Sequence, residues 1–350
     1  MLAHLRLNNF TLFSEADVPF ARHLNVLVGE NGSGKSHLLK LAYSLAWVMA
    51  RGGRESGSPT PTKAYLEKAI ASKLRGVFRP DRLGRLARRQ AGVSRCEVEA
   101  KFRQVAHDLA FSFTTKNASE VSLDRTPARW SGQPPVFLPT RELLTIYPGF
   151  VSLYETADLP FEETWRDTCI LLGAPAVKGA RAREIGQLLS PLEEQLGGRV
   201  VLTDGRFYLE TRNGIIEAHL VAEGLRKLAM IARLIATGSL VGTGSLFWDE
   251  PEASLNPKVI KQVVPTILHL CRSGIQVFVA THSLFLMREL DLQLRMDENR
   301  DLESRYFGLH PQDIGTTIQS GKTVDEIGPI DALQEELNQS DRYLGAEAEA

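Results

Sequence analysis

Cysteine is scarce and unpaired in spacing: Cys96, Cys169 and Cys271 stand far apart, without a C-x-x-C pair. That excludes a disulfide framework or a zinc finger and leaves ordinary buried thiols of a reducing compartment. Net charge is nearly absent, at −1 over 350 residues. No global field therefore marks a nucleic-acid binder, and any such surface has to be local. No stretch approaches the length of a membrane span without a charge. The opening Met1-Leu2-Ala3-His4-Leu5-Arg6 carries no apolar h-region of a signal peptide. The expectation is a soluble, cytoplasmic protein with no membrane partner, long enough for two domains or one domain with a large insertion.

One stretch organises what is present. Gly29-Glu30-Asn31-Gly32-Ser33-Gly34-Lys35-Ser36 reads G-x-x-x-x-G-K-S, the P-loop pattern. Leu24 to Val28 before it has the length of a buried strand. Leu38, Leu39, Leu41, Ala42, Leu45 and Ala46 after it repeat at helix spacing. Three glycines let successive N–H groups turn toward an anion, and the following helix adds its positive end. On this pattern Asn31, Gly32, Ser33, Gly34, Lys35 and Ser36 cradle nucleotide phosphates. Lys35 reaches the β- and γ-phosphates, and Ser36 places its hydroxyl on Mg2+.

In chain order, Leu2 to Leu7 alternates as an edge strand, Asn8-Asn9 and Ser14-Glu15 mark turns, and Val18 to Phe20 resumes a strand. Phe10 and Phe13 are core candidates, with stacking on an adenine as the rarer use of such aromatics. The helix after the P-loop is expected to stop at Gly52-Gly53, before a flexible Gly-, Ser- and Pro-rich excursion from Arg51 to Thr62. Helical patterning returns from Lys63 to Leu74. A basic run follows: Arg75, Arg79, Arg82, Arg85, Arg88, Arg89 and Arg95, with Asp81 the one acid among them. It reads equally as a phosphate-backbone or partner contact and as a solvated, ion-paired face. Cys96 to Phe102, Leu109 to Thr114 and Val121 to Leu123 read as strands, and Val136 to Leu138 as a short buried one. Leu143 to Gly198 reads as mainly helical, too short for a long coiled-coil arm. Arg199 to Ala218 reads as β, with hairpin turns at Asp204-Gly205 and Asn213-Gly214.

Leu246-Phe247-Trp248-Asp249-Glu250 is an apolar strand ending in two acids, a Walker B pattern when it follows a P-loop. Asp249 then holds Mg2+, and Glu250 accepts a proton from the attacking water. Ile275 to Ala280 is another buried strand, ending in Thr281-His282-Ser283. A histidine at that place is positioned to contact a γ-phosphate.

GENGSGKS, FWDEPEASLNP and VFVATHS together resemble the ATP-binding-cassette ATPase superfamily, in particular soluble SMC-like and OLD-like bacterial ATPases rather than transporter subunits. The resemblance spans the chain and is strongest over residues 1–50 and 200–290. It implies an α/β P-loop NTPase head with a mixed central sheet, an antiparallel β-lobe and an inserted helical lobe. It implies head-to-tail dimers with ATP between them. Asp249 becomes the Walker B acid, Glu250 the catalytic glutamate, Ser254 to Asn256 the D-loop and His282 the switch histidine. The signature loop falls on Val221 to Lys227: Gly224 matches the family glycine, while Ala222 stands where a serine is expected. Arg226 or Lys227 is the candidate to supply the missing contact by charge, and Arg141 is the nucleotide-proximal residue of the Pro139-Thr140-Arg141-Glu142 stretch.

The expected division is 1–50 for the first half of the head, 51–198 for an inserted lobe, 199–296 for the second half and 297–350 for a C-terminal extension. The leading reading is an ATP-hydrolysing dimer switch working with a separate effector, in a DNA-related or phage-defence system by family association. The alternatives are a DNA-binding repair or recombination ATPase, using Arg75, Arg79, Arg82, Arg85, Arg88 and Arg89, and less favourably a transporter's ATP-binding subunit.

Overall fold

A computed structural model describes residues 1–89, 92–179, 181–241 and 244–349. The chain opens with β1 (Leu2–Phe10), β2 (Phe13–Pro19), β3 (Leu24–Gly29) and the helices α1 (Lys35–Ser56) and α2 (Lys63–Phe78). Strands β4 (Arg95–Phe102), β5 (Leu109–Thr114), β6 (Ser122–Arg125) and β7 (Pro135–Leu138) lead to α3 (Phe150–Thr156), α4 (Glu163–Leu172) and α5 (Arg181–Leu196). Next come β8 (Gly198–Thr203), β9 (Arg206–Thr211), β10 (Gly214–Glu217), α6 (Glu223–Ala236), β11 (Ser245–Asp249) and α7 (Pro257–Arg272). The chain closes with β12 (Gln276–Thr281), α8 (Leu284–Leu294), β13 (Ser304–His310), β14 (Thr317–Gly321) and α9 (Asp331–Glu349).

Among the described residues the strands form three sheets, ordered β2-β1-β4-β5-β6, β10-β9-β8 and β14-β13-β3-β12-β11-β7. In the six-stranded sheet β13, β3, β12, β11 and β7 are parallel, with β14 antiparallel at one edge. Such strands are covered on both faces and read as unbroken apolar runs. Their side chains still alternate. Leu24, Val26, Val28, Val136, Leu246, Trp248, Val277 and Val279 face a core shared with α6, α7 and α8. Leu27, Phe137, Phe247, Phe278 and Phe307 face the other way, toward α1, α2 and the antiparallel sheet. Phe247 stacks on Phe278 with centroids 4.6 Å apart, and Phe20 meets Phe278 edge-on at 5.0 Å. Gln276, fully buried, ties the two sheets: its amide donates to the carbonyls of Leu2 and Ala21 and accepts from Leu2 N. The α/β P-loop head with mixed sheet, antiparallel β-lobe and helical lobe is thus as expected.

Several local expectations give way. β1 is internal, since β4 pairs along its second side. Asn8 and Glu15 lie within strands on the exposed side, and the turn falls at Thr11-Leu12, where Asn9 and Thr11 take positive φ of 53° and 46°. α1 does not stop at Gly52-Gly53. The Trp130 ring occupies the space of their missing side chains, 2.3 Å from a Cβ placed on Gly52, so the helix runs on to a left-handed Gly57. The sheets also cut across the division at 51, 198 and 296. β4 to β6 extend the N-terminal hairpin, β7 joins the central sheet, and β13, from the segment read as an extension, lies directly beside the P-loop strand β3.

Candidate functional site

The C-terminal ends of β3, β11 and β12 lie side by side, and each delivers part of one site. At β3 the loop takes left-handed turns at Gly32 (φ 82°) and Gly34 (φ 101°), the alternation that turns amides inward. A Cβ on Gly34 would stand 2.8 Å from Phe13, so the loop rests on that ring. Phe10 and Phe13 are both fully buried and belong to the core. Lys35 folds back across the loop, its Nζ 2.8 Å from the carbonyl of Gly29 and 2.9 Å from that of Glu30. Burial lowers the Lys35 pKa, and Glu250, Asp249, Glu252 and Glu30 oppose that shift. The first helical amide bond runs from Leu38 N to the Gly34 carbonyl, and the amides before it point out of the helix start. Asn31 and Gly32 are exposed, Ser33 is buried with its hydroxyl unpaired, and Ser36 is half-buried.

At β11, Ser36 Oγ donates to Asp249 Oδ1 at 3.0 Å. Burial pushes the Asp249 carboxyl up to about 6, against the Ser36 hydrogen bond. A buried carboxylate held against its preference beside a hydroxyl is a hard-oxygen set that suits Mg2+. Among the described residues no group of three or more His, Cys, Asp or Glu could hold a metal. Ser36 and Asp249 are the residues that would hold such a cation, with the rest of its shell supplied from outside these two side chains.

Glu250 follows with φ 48°, uncommon for a residue with a side chain. Its amide donates to the Ala280 carbonyl at 2.9 Å, and its Oε1 lies 3.1 Å from His282 Nδ1. The structure thus brings Lys35, Ser36, Asp249, Glu250 and His282 into one cluster. Sequence reasoning missed Glu252. Its buried Oε1 accepts from Thr281 Oγ1 at 2.6 Å and from His282 N at 3.3 Å, so it fixes the turn that presents the histidine. Its place in the Asp249-Glu250-Pro251-Glu252 run was the only available signal.

The signature region departs from expectation. α6 starts at Glu223 with Ala222 as its cap and no side-chain hydrogen bond there. Gly224 is packed: a Cβ would stand 3.0 Å from both Leu255 Cδ2 and the Ser254 carbonyl, so its bareness admits the D-loop of the same chain. Neither proposed substitute for the missing serine is free. Arg226 Nε donates to Glu142 Oε1 at 2.7 Å, and Lys227 points inward to the carbonyls of Glu250 and Ala253. In the D-loop Ser254 has φ 64°, and the Asn256 side chain caps α7 by accepting from Val259 N. Arg141 is exposed just past β7, and among the described residues no hydrogen bond joins its side chain to the P-loop; its neighbour Glu142 is the buried residue of this stretch.

The basic run divides. Arg79 pairs with Asp158, Arg88 donates to the Ile314 carbonyl, and Arg95 meets Glu97 and Asp124. Arg75, Arg82, Arg85 and Arg89 are exposed. Arg82, Arg85 and Arg89 line an open cleft of about 680 Å³ with Asp81 and Thr115.

A P-loop strand flanked by parallel strands, with acids and a histidine at the same sheet end, defines a P-loop ATPase head. The chain belongs to the AAA-domain family described as putative AbiEii toxin, Type IV TA system, whose model matches residues 107–288, just over half its length. A second AAA-domain model matches residues 4–122. Among curated proteins, none matches. Many solved structures share the fold, three SMC heads among them. An SMC head bound to the C-winged helix domain of ScpA has TM-score 0.55 and 14% identity, covering 91% of this chain and 97% of that one. The SMC head from Thermotoga maritima has 0.50 and 15%, over 91% and 97%. An SMC head with extended coiled coil, bound to the C-terminal domain of ScpA and derived from Pyrococcus furiosus, has 0.53 and 13%, over 97% and 99%.

Proposed function

We propose that this chain binds and hydrolyses ATP, closing as a homodimer around the nucleotide and opening after hydrolysis. The observation that carries this is the convergence of Lys35, Ser36, Asp249, Glu250 and His282 at one sheet end. The loop amides and Lys35 would hold phosphates, and Ser36 and Asp249 would hold Mg2+, which would supply neutralisation of phosphate charge. Glu250 takes the proton of the attacking water, and His282, hydrogen-bonded to it, orients that carboxylate toward the nucleotide. The exposed start of α6, Ala222 and Glu223, faces the second subunit, with Gly224 packed behind it on its own chain's D-loop. Ala222 brings no hydroxyl and Glu223 brings a like charge, so closure is weak and turnover slow without a partner. The family's description as a putative toxin of a toxin–antitoxin system, and the SMC heads bound to ScpA, support a separate effector protein, in a phage-defence or DNA-related setting.

The test is light scattering with Mg2+-ATP on Glu250→Gln beside the unaltered chain. A variant that stalls as a dimer and loses turnover supports the switch. Failure of both proteins to dimerise or hydrolyse ATP overturns it.

The arginine cleft favours a second activity, contact with a DNA backbone. Three exposed guanidiniums, of Arg82, Arg85 and Arg89, line the cleft beside a single acid, Asp81, in a chain of almost no net charge. Replacing Arg82, Arg85 and Arg89 by alanine should abolish salt-dependent duplex binding and leave ATP binding intact. Equal duplex binding by the variant overturns the assignment.

A further inference from the structure

Lys227 is a buried cation that the reaction above does not use. It is 1% exposed, and among the described residues no carboxylate forms an ion pair with it. Its ammonium is held by main-chain carbonyls, that of Ala253 at 2.6 Å and that of Glu250 at 3.3 Å. A buried cation satisfied by carbonyls alone is an expensive way to fill a core, and an aliphatic side chain would fill it at less cost.

The segment it grips is strained and chemically central. Glu250 and Ser254, at φ 48° and 64°, are both left-handed without being glycine. Between them the chain makes tight turns, with Ala253 N donating to the Glu250 carbonyl and Leu255 N to the Glu252 carbonyl. Pro251 supplies the fixed φ such a turn uses at its second position. One helical turn before Lys227, on the same face of α6, Gly224 lies against the Ser254 carbonyl and Leu255. The start of α6 therefore touches this segment twice, once by close backbone approach and once through the lysine. Among the described residues, the other hydrogen bonds to Glu250 come from the turn itself, through Ala253 N, and from the end of β12 and the residue after it, through the Ala280 carbonyl and His282. Lys227 is what ties the catalytic glutamate's own main chain to the signature helix.

We infer that Lys227 is a positioning residue that clamps the strained Glu250–Ser254 turn to the start of α6, so that a shift of that helix moves the glutamate. The inference rests on the ATPase reading above for its consequence, and on the geometry alone for the clamp. Ala222 gives α6 no hydroxyl with which to sense an opposing phosphate, and the lysine gives the same helix a rigid connection to Glu250.

The test uses the full chain with Lys227→Met, with Lys227→Gln as the second variant should the first not fold. Affinity for a fluorescent ATP analogue should match the unaltered protein, because Lys35 and Ser36 are untouched. KM should be unchanged and kcat should fall by about 10- to 100-fold, the effect of a misplaced reacting group. Amide exchange at Ala253 and Leu255 should speed up, while that of β12 stays as it was. A purely structural lysine would move affinity and turnover together or neither. Turnover equal to the unaltered chain, parallel loss of analogue affinity, or unchanged exchange at Ala253 and Leu255 overturns the clamp. If the unaltered chain hydrolyses no ATP, the ATPase reading fails, and the exchange result still decides the clamp.

Discussion

Replacing Lys73 by methionine probes the joint between the P-loop helix and the helical lobe. Lys73, on α2, is 2% exposed. Its Nζ bonds Glu163 Oε1 of α4 at 3.0 Å and also Asp167, which accepts from Tyr43 Oη of α1 at 2.6 Å. The ammonium lies 3.7 Å from the centroid of the Trp47 ring, also on α1. Methionine fills the volume but leaves two buried carboxylates with Arg166 as their remaining cation. Removing one partner of a buried pair costs about 3–5 kcal/mol. An unfolding entropy of about 2.1 cal/mol/K per residue over 350 residues gives about 0.7 kcal/mol/K, so the melting point should fall by about 4–7 °C. The neighbouring Lys40–Glu162 pair, at 2.5 Å but 15% and 32% exposed, sets the contrast. Lys40→Met should cost under about 1 kcal/mol, little more than 1 °C. The pH dependence has a definite sign. Burial raises the Glu163 carboxyl, and Lys73 is the largest opposing influence. Without the lysine that carboxyl rises further. The penalty is then full above its folded value and fades as pH falls toward the ordinary 4.5. Scanning calorimetry at pH 8 and pH 5 should show the Lys73→Met deficit narrowing at the lower pH. A deficit under 1 °C, or one indifferent to pH, would refute the reasoning.

Three further outcomes follow from other contacts. His282→Ala should lower kcat by about 10²-fold or more with nucleotide affinity retained, since the ring touches Glu250 rather than the loop; steady-state kinetics beside an affinity titration checks it. Gly52→Ala should cost about 1–3 kcal/mol, because the added methyl meets the Trp130 ring, and Trp130→Ala should remove most of that cost in a double-mutant cycle of melting points. Burial pulls Lys227 down to about 8 from 10.5. The folded chain therefore carries the full penalty of about 3 kcal/mol below pH 8 and loses it as pH rises toward 10.5. The unaltered chain should gain stability relative to Lys227→Met between pH 7 and pH 9.5, and parallel melting curves would contradict this.

The residues of the candidate site were legible in the sequence wherever one short segment carries them. GENGSGKS, the strand into Asp249-Glu250 and the strand into Thr281-His282 each combine a buried run with polar residues at its end. The sheet then aligns those ends because parallel strands of similar length share a register. The hairpins were equally local: Asp204 and Gly205 both take positive φ in the first turn, and in the second Gly214, at φ 128°, opens β10 just after a turn at Arg212-Asn213. What stayed hidden depends on a partner distant in sequence. Gly52-Gly53 reads as a stop until Trp130 fills the gap, and β1 reads as an edge until β4 covers it. β13 looks like an appendage because the register that sets it beside β3 leaves no trace in either strand's composition. The same reasoning explains the signature region. Composition showed two cations, Arg226 and Lys227, next to a missing hydroxyl, and proximity in sequence suggested compensation. Helical geometry separates adjacent residues by about 100° around the axis, since 3.6 of them make a turn. That rotation sends Arg226 to Glu142 and Lys227 beneath Glu250. Arg226 also turns back to the Val221 carbonyl beside Ala222, at 2.5 Å, so its guanidinium is spent on its own chain at the helix start, and Lys227 does not reach it. On the proposed switch, α6 itself makes closure between heads weak, and a strengthening factor comes from outside the chain or from the nucleotide.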